Sequence, residues 1–163
     1  MTKKSVPKFV VCLPFLVLVG LMTGCSSTPV AWNVKIHKPA TIEVDLVWVK
    51  EREKPLLDAY SIDKYWSPDD PVRKDADKLS SDAKPTEDWL ITRKDPKWKS
   101  WLNRGVGGVF IIANLPGNFD SGPDPRREYL PLTKGHWDAK KRTLEIEVQS
   151  SRILILTPEK PMK

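Results

Sequence analysis

Alternation of apolar and polar residues is clearest in ATIEVDLVWV, residues 40–49. There Ile42, Val44, Leu46 and Trp48 point to one side and Glu43 and Asp45 to the other, the period of two of a half-buried strand. Val47 and Val49 make its far end apolar on both faces. Trp32 to His37 reads as a preceding strand, separated from this one by His37-Lys38-Pro39. Between 51 and 88, charge, proline and aspartate break the strand pattern. Leu56, Leu57, Tyr60 and Lys64 fall at helical spacing and predict a helix over about 55–64. Asp70-Pro71 predicts a second helix, with Asp as N-cap and Pro at the first helical position, running to about Leu79. Trp89 to Arg93 suits a short strand. Asp95 to Gly105 reads as a helix capped by Asp95, opened by Pro96 and closed by Gly105, its Trp98, Trp101 and Leu102 sharing one face.

GVFIIANLPGN, 108–118, is a continuous apolar run ending in a turn, which fits a strand buried on both faces. Phe119 to Arg126 reads as loop, and Glu128 to Leu132 as a brief edge strand where Pro131 is tolerated. Leu144, Ile146 and Val148 alternate with Glu145, Glu147 and Gln149. Ser150-Ser151 then leads into the apolar Ile153 to Leu156, a closing hairpin. Seven or so short strands with turn signals between them predict a mainly β chain, an antiparallel β-sandwich with a short helical insertion at about 51–88. No internal repeat is evident.

The amino end follows a different rule. Lys3, Lys4 and Lys8 precede an uncharged apolar run from Phe9 to Thr23, the layout of a secretory signal. The run is short for a membrane span, which needs about 18–20 apolar residues, and it contains Pro14. Met22-Thr23-Gly24-Cys25 closes it and resembles the bacterial lipobox: Gly24 admits the processing enzymes close to the backbone, and the Cys25 thiol is the nucleophile that accepts diacylglycerol. Residues 1–24 are therefore expected to be removed, residues 25–30 to form a lipidated tether, and residues 31–160 to form the sandwich domain. Ser26 after such a cysteine looks like a signal for the outer membrane. A plain signal peptide or a membrane anchor, with an incidental Cys25, is the alternative. Acyl chains on Cys25 anchor durably, since each buried methylene contributes about 0.8 kcal/mol.

Processing changes the composition. Removing residues 1–24 takes away three lysines and no acid, so the formal charge falls from +6 to +3. No basic stripe remains, and nucleic acid is not an expected partner. Cys12 leaves as well, so Cys25 has no cysteine in the mature chain to pair with.

No catalytic constellation is visible. His37 and His136 lack partners at zinc-ligand spacing. There is no Gly-x-Ser-x-Gly elbow, phosphate loop or dinucleotide fingerprint. Ser67-Pro68-Asp69-Asp70 with Asp75 and Asp77 lacks the spacing and the glycine of a calcium loop, and Glu145 with Glu147 reads as the polar side of a sheet. The chain is expected to be neither an enzyme nor a metal or cofactor protein, apart from the covalent lipid on Cys25. All seven tryptophans lie beyond residue 24. Trp66 and Trp137, in loop-like contexts, are candidate exposed anchors for a protein partner or a sugar, and the Trp98/Trp101 helix face is a third candidate for glycan stacking.

Together, the lipobox, the strand Ile42-x-Val44-Asp45-Leu46-Val47-Trp48-Val49, a helical excursion containing Asp58-Ala59-Tyr60-Ser61-Ile62, the run Gly108 to Asn114 and the terminal strand pair resemble the TssJ lipoproteins of type VI secretion systems. The likeness spans about residues 31–157. It implies a transthyretin-like sandwich with a helical insertion, held by lipid at the periplasmic face of the outer membrane. It also implies docking of the periplasmic domain of an inner-membrane TssM-like protein, as a structural part of an envelope-spanning complex. In that family a fairly long loop between the first two strands makes the contact; here it is shortened to His37, Lys38 and Pro39, the candidate contact residues beside Trp66 and Trp137. A glycan- or cell-wall-binding lipoprotein is the other function this sequence admits.

Overall fold

The computed structural model describes residues 32–39, 41–81, 88–104, 107–117, 119, 122–133, 135–138 and 142–161. The signal segment 1–24, Cys25 and the tether to residue 30 lie outside the described residues. Among the described residues eight strands, β1 (Asn33–His37), β2 (Val44–Val49), β3 (Lys78–Ser81), β4 (Trp89–Ile91), β5 (Gly108–Ala113), β6 (Arg127–Pro131), β7 (Thr143–Val148) and β8 (Ile153–Ile155), form two four-stranded sheets. Their orders are β4-β1-β7-β8 and β3-β2-β5-β6. One hydrophobic cluster takes Val34, Ile36, Leu144 and Ile146 from the first sheet and Val44, Leu46, Val109 and Ile111 from the second. The chain passes between sheets in the short stretch from His37 to Val44.

Most pairs are antiparallel, as expected, but β1 and β7 run parallel, with Val34 opposite Leu144 and Ile36 opposite Ile146. The first sheet is therefore mixed. A parallel pair needs a long crossover, and everything from β2 to β6 lies between these two strands.

Between β2 and β3 the chain makes its helical excursion: a single 3-10 turn at Glu51–Glu53, then α1 (Lys54–Asp58), α2 (Ile62–Tyr65) and α3 (Pro71–Asp75). The single helix expected over 55–64 is broken, because Ser61 adopts an extended conformation and its side chain accepts from Lys64 N–H, starting α2 afresh. Asp70 caps α3 and Pro71 opens it, as the sequence indicates, but α3 stops at Asp75. Leu79 belongs instead to β3, where it pairs with Leu46. The excursion is thus the long connection of an antiparallel pair. It folds back over the outer face of its sheet, where Leu57, Ile62 and Tyr65 pack on Val47, Val49, Phe110 and Ile112. This second cluster explains why β5 is buried at all six positions and why the end of β2 is apolar on both faces.

The last helix, α4 (Pro96–Asn103), starts where its sequence signals put it: Asp95 accepts from the N–H groups of Lys97 and Trp98, both at 2.9 Å, while Gly105, expected to close the helix, lies outside the described residues. Trp98 and Trp101 are fully buried against the inter-sheet cluster. Their indole N–H groups donate to the Trp32 carbonyl at 2.9 Å and to Asp77 at 3.0 Å. No described helix is long and apolar enough to cross a membrane.

Candidate docking surface

The turn after β1 is braced at each residue. His37 Nδ1 lies 2.8 Å from Asp88, whose other oxygen is 2.7 Å from Lys35 Nζ. Lys35 first, and His37 with it, hold the Asp88 carboxyl below the usual carboxylate range. Lys38 Nζ donates to the Ile42 carbonyl at 3.1 Å, and Ile42 N–H donates to the Pro39 carbonyl at 3.2 Å. Pro39 is exposed at the tip. His37, Lys38 and Pro39 therefore form a tight, tethered turn.

Trp66 ends α2, half-buried, with the Arg73 guanidinium 4.0 Å above its ring and Tyr65 edge-on. Arg73 is where the polar contacts of the excursion converge. Its Nε donates to Asp45 at 2.9 Å, and the Tyr65 hydroxyl donates to the same carboxylate oxygen at 3.0 Å. Asp45 is 1 % exposed. Alternation along β2 places it on the polar side, yet that side is roofed by α2 and α3, so the carboxylate is buried and paired rather than solvated. Burial, and then the Asp45 charge, push the Tyr65 hydroxyl well above its ordinary range. Tyr60 donates to Asp70 at 2.6 Å, and Asp70 also accepts from Arg73 N–H at 2.8 Å.

Trp137 is buried, not presented. Only 4 % of it is exposed, it joins the inter-sheet cluster, and its indole N–H donates to the Pro131 carbonyl at 2.9 Å. The sequence places it in a loop, but its neighbours are the end of β6 and Glu159, with which it forms an isolated bridge. Trp66, the β1–β2 turn and Trp137 thus belong to the excursion, to the other sheet and to the core. They do not form one site.

Two features escaped the sequence reading. The first is Arg126, whose side chain is 5 % exposed and grips both Asp63 of α2 and Asp124, with Phe119 against its guanidinium plane. Arg126 holds the Asp63 carboxyl below its usual range. It clamps the excursion to the connection between β5 and β6. The second is a groove of about 520 Å³ where α1 and α3 leave the outer face of β2 partly uncovered. Val47, Val49, Leu57 and Val72 make its walls; Glu53, Asp75, Asp77 and Arg104 rim it. Leu56 lines it too, 75 % exposed. Two adjacent leucines at the start of a short helix were the available signal, since the pattern buries Leu57 and leaves Leu56 over.

Among the described residues no group of three or more His, Cys, Asp or Glu side chains is placed to hold a metal ion. Of the four acids in the candidate calcium stretch, three have other partners: Asp70 caps α3, Asp69 pairs with Lys74, and Asp77 binds Lys97, Arg104 and the Trp101 indole.

No protein-family model matches the sequence, and no curated protein matches it. Among solved structures, the chain is similar to the crystal structure of the T6SS lipoprotein TssJ1 from Pseudomonas aeruginosa. Identity is 12 % and the TM-score 0.48, over 82 % of this chain and 99 % of that one. It is also similar to Serratia marcescens Lip, a membrane bound component of the Type VI Secretion System, at 12 % identity and a TM-score of 0.42, over 78 % of this chain and 97 % of that one.

Proposed function

We propose that the chain is a lipid-anchored structural protein of the bacterial envelope, a TssJ-like component that docks the periplasmic domain of a TssM-like inner-membrane protein. The observation that carries this reading is Met22-Thr23-Gly24-Cys25-Ser26, which ends an apolar signal run seven positions before Trp32, the first described residue. A fully extended tether of that length spans at most about 25 Å. Acyl chains on Cys25 would thus hold the folded body close to the bilayer, and Ser26 favours the outer one. The body suits a platform: two four-stranded sheets share one hydrophobic cluster, consistent with a sandwich, and the excursion is fastened outside by Asp45, Arg73 and Arg126. The braced His37-Lys38-Pro39 turn takes the place of the family's longer contact loop. The role is docking rather than catalysis. A glycan site built on stacked tryptophans draws no support from Trp98, Trp101 or Trp137, which are buried.

Mass spectrometry of the amino-terminal peptide, with membrane fractionation of wild type and Cys25→Ala, tests this reading. Acyl mass on Cys25 and release of the variant from the outer membrane are expected. An unmodified Cys25, or identical fractionation of the two proteins, would overturn it.

A further inference from the structure

We infer that the groove between α1, α3 and β2 is the seat of a partner segment that presents a large apolar side chain beside a lysine or arginine. This deepens the docking role proposed above and rests on it. At about 520 Å³ the groove falls within the range of ligand-binding pockets and has room for an anchoring side chain and its neighbour. Its walls are mainly aliphatic, with Trp48 and Tyr60 among them, and Leu56 is the most exposed of the large hydrophobic residues described. An exposed leucine beside an open apolar groove is the kind of patch that interfaces cover.

Charge selects the occupant. Of the three acids on the rim, Asp77 is already matched by Arg104 and Lys97, and Arg104 also lies 4.7 Å above the Trp48 ring. Glu53 accepts from the Lys50 backbone N–H at 3.1 Å, and the nearest side-chain cations, Arg52 and Lys50, approach it only to 3.8 and 3.9 Å. Asp75 has no ion pair among the described residues. The rim therefore carries carboxylate charge that a cation on the partner would meet and an acidic segment would not. The same charge argues against a second copy of this chain: an isologous contact across this face would bring the acidic rims of both copies together. An anionic lipid surface is disfavoured for the same reason.

The test uses full-length protein, purified in detergent as the cell processes it, to select twelve-residue peptides from a random display library. Enriched peptides should carry Leu, Ile, Phe or Trp next to Lys or Arg. Their affinity should fall by at least about tenfold in Asp75→Lys and in Leu56→Asp. Both residues are exposed, so unchanged circular dichroism and melting temperature serve as the folding control. Selection without an apolar–basic preference, or affinities untouched by both substitutions, would overturn the inference. So would sedimentation showing a dimer that these substitutions disperse, which would make the occupant a second copy. The outcome is separable from that of the envelope reading: an unacylated Cys25 sinks the latter and leaves the peptide preference to be read on its own.

Discussion

Asp45 shows how a single charged side chain can be central to a fold. Its carboxylate is nearly inaccessible, and one oxygen receives both the Tyr65 hydroxyl and the Arg73 guanidinium while the other has no hydrogen-bond partner. Removing it strands two polar groups under the excursion, whereas an amide in its place still accepts from both. Asp45→Ala should therefore cost about 2–4 kcal/mol and Asp45→Asn markedly less, read as the shift in urea midpoint. Gly108 is constrained on the same outer face of that sheet. A Cβ there would collide with the Tyr129 ring, whose hydroxyl donates to Glu51 at 2.9 Å. Gly108→Ala should displace that ring and destabilise by about 1–3 kcal/mol, the usual cost of overpacking; an unchanged midpoint would show that the ring moves freely.

At the scale of elements, the excursion and α4 hold by different means. Helices of four or five residues cannot stand by themselves, since each must pay the nucleation cost with almost no propagation to offset it. α1 and α2 therefore depend on burying their own Leu57, Ile62 and Tyr65, α3 on Val72 against the same cluster, and the excursion on the clamp from Arg126 to Asp63. Arg126→Met should raise amide exchange throughout the excursion and leave the β2, β5 and β7 amides protected; uniform loss of protection would mean that the clamp supports the whole molecule. α4 carries its own start signal. Asp95→Ala should cost about 1 kcal/mol by loss of the cap. The legibility of these elements follows the same division. α4 could be read because its cap, proline and tryptophans act within one turn. β3 could not: Lys-Leu-Ser-Ser has a single apolar residue and no alternation, and it is a strand because β2 offers it a partner.

For the molecule as a whole, the paired carboxylates set the response to acid. Asp63, Asp70, Asp77 and Asp124 all lie below the ordinary carboxylate value. At Asp77 burial alone would raise the value, and the Arg104, Trp101 and Lys97 contacts outweigh it. A lowered folded value means that the unfolded chain binds the proton more readily. The stability from these groups is therefore complete above about pH 4 and is lost as pH falls through the lowered values. Through these four carboxylates the melting temperature should hold level from pH 8 to about 5 and drop steeply below about 4. Glu128 runs the opposite way: burial raises it, so its contribution is present at low pH and lost as pH rises through the raised value. Glu128→Gln should raise the melting temperature at pH 7 and leave it unchanged at pH 3.

The amino-acid order by itself determined what depends on neighbours in the chain. It marked the alternating strands β2 and β7, the doubly buried β5, the caps of α3 and α4 and the closing hairpin. In each case the deciding interaction spans a few residues, so the pattern carries the physics. Only the tertiary structure decided that β1 lies parallel to β7, that Asp45 is roofed and paired, that Trp137 is core, and that α1 and α3 leave a rimmed groove over β2. Those outcomes depend on surface shared between segments far apart in sequence. Whether a side chain is buried is then settled by what packs over it, which no local pattern records.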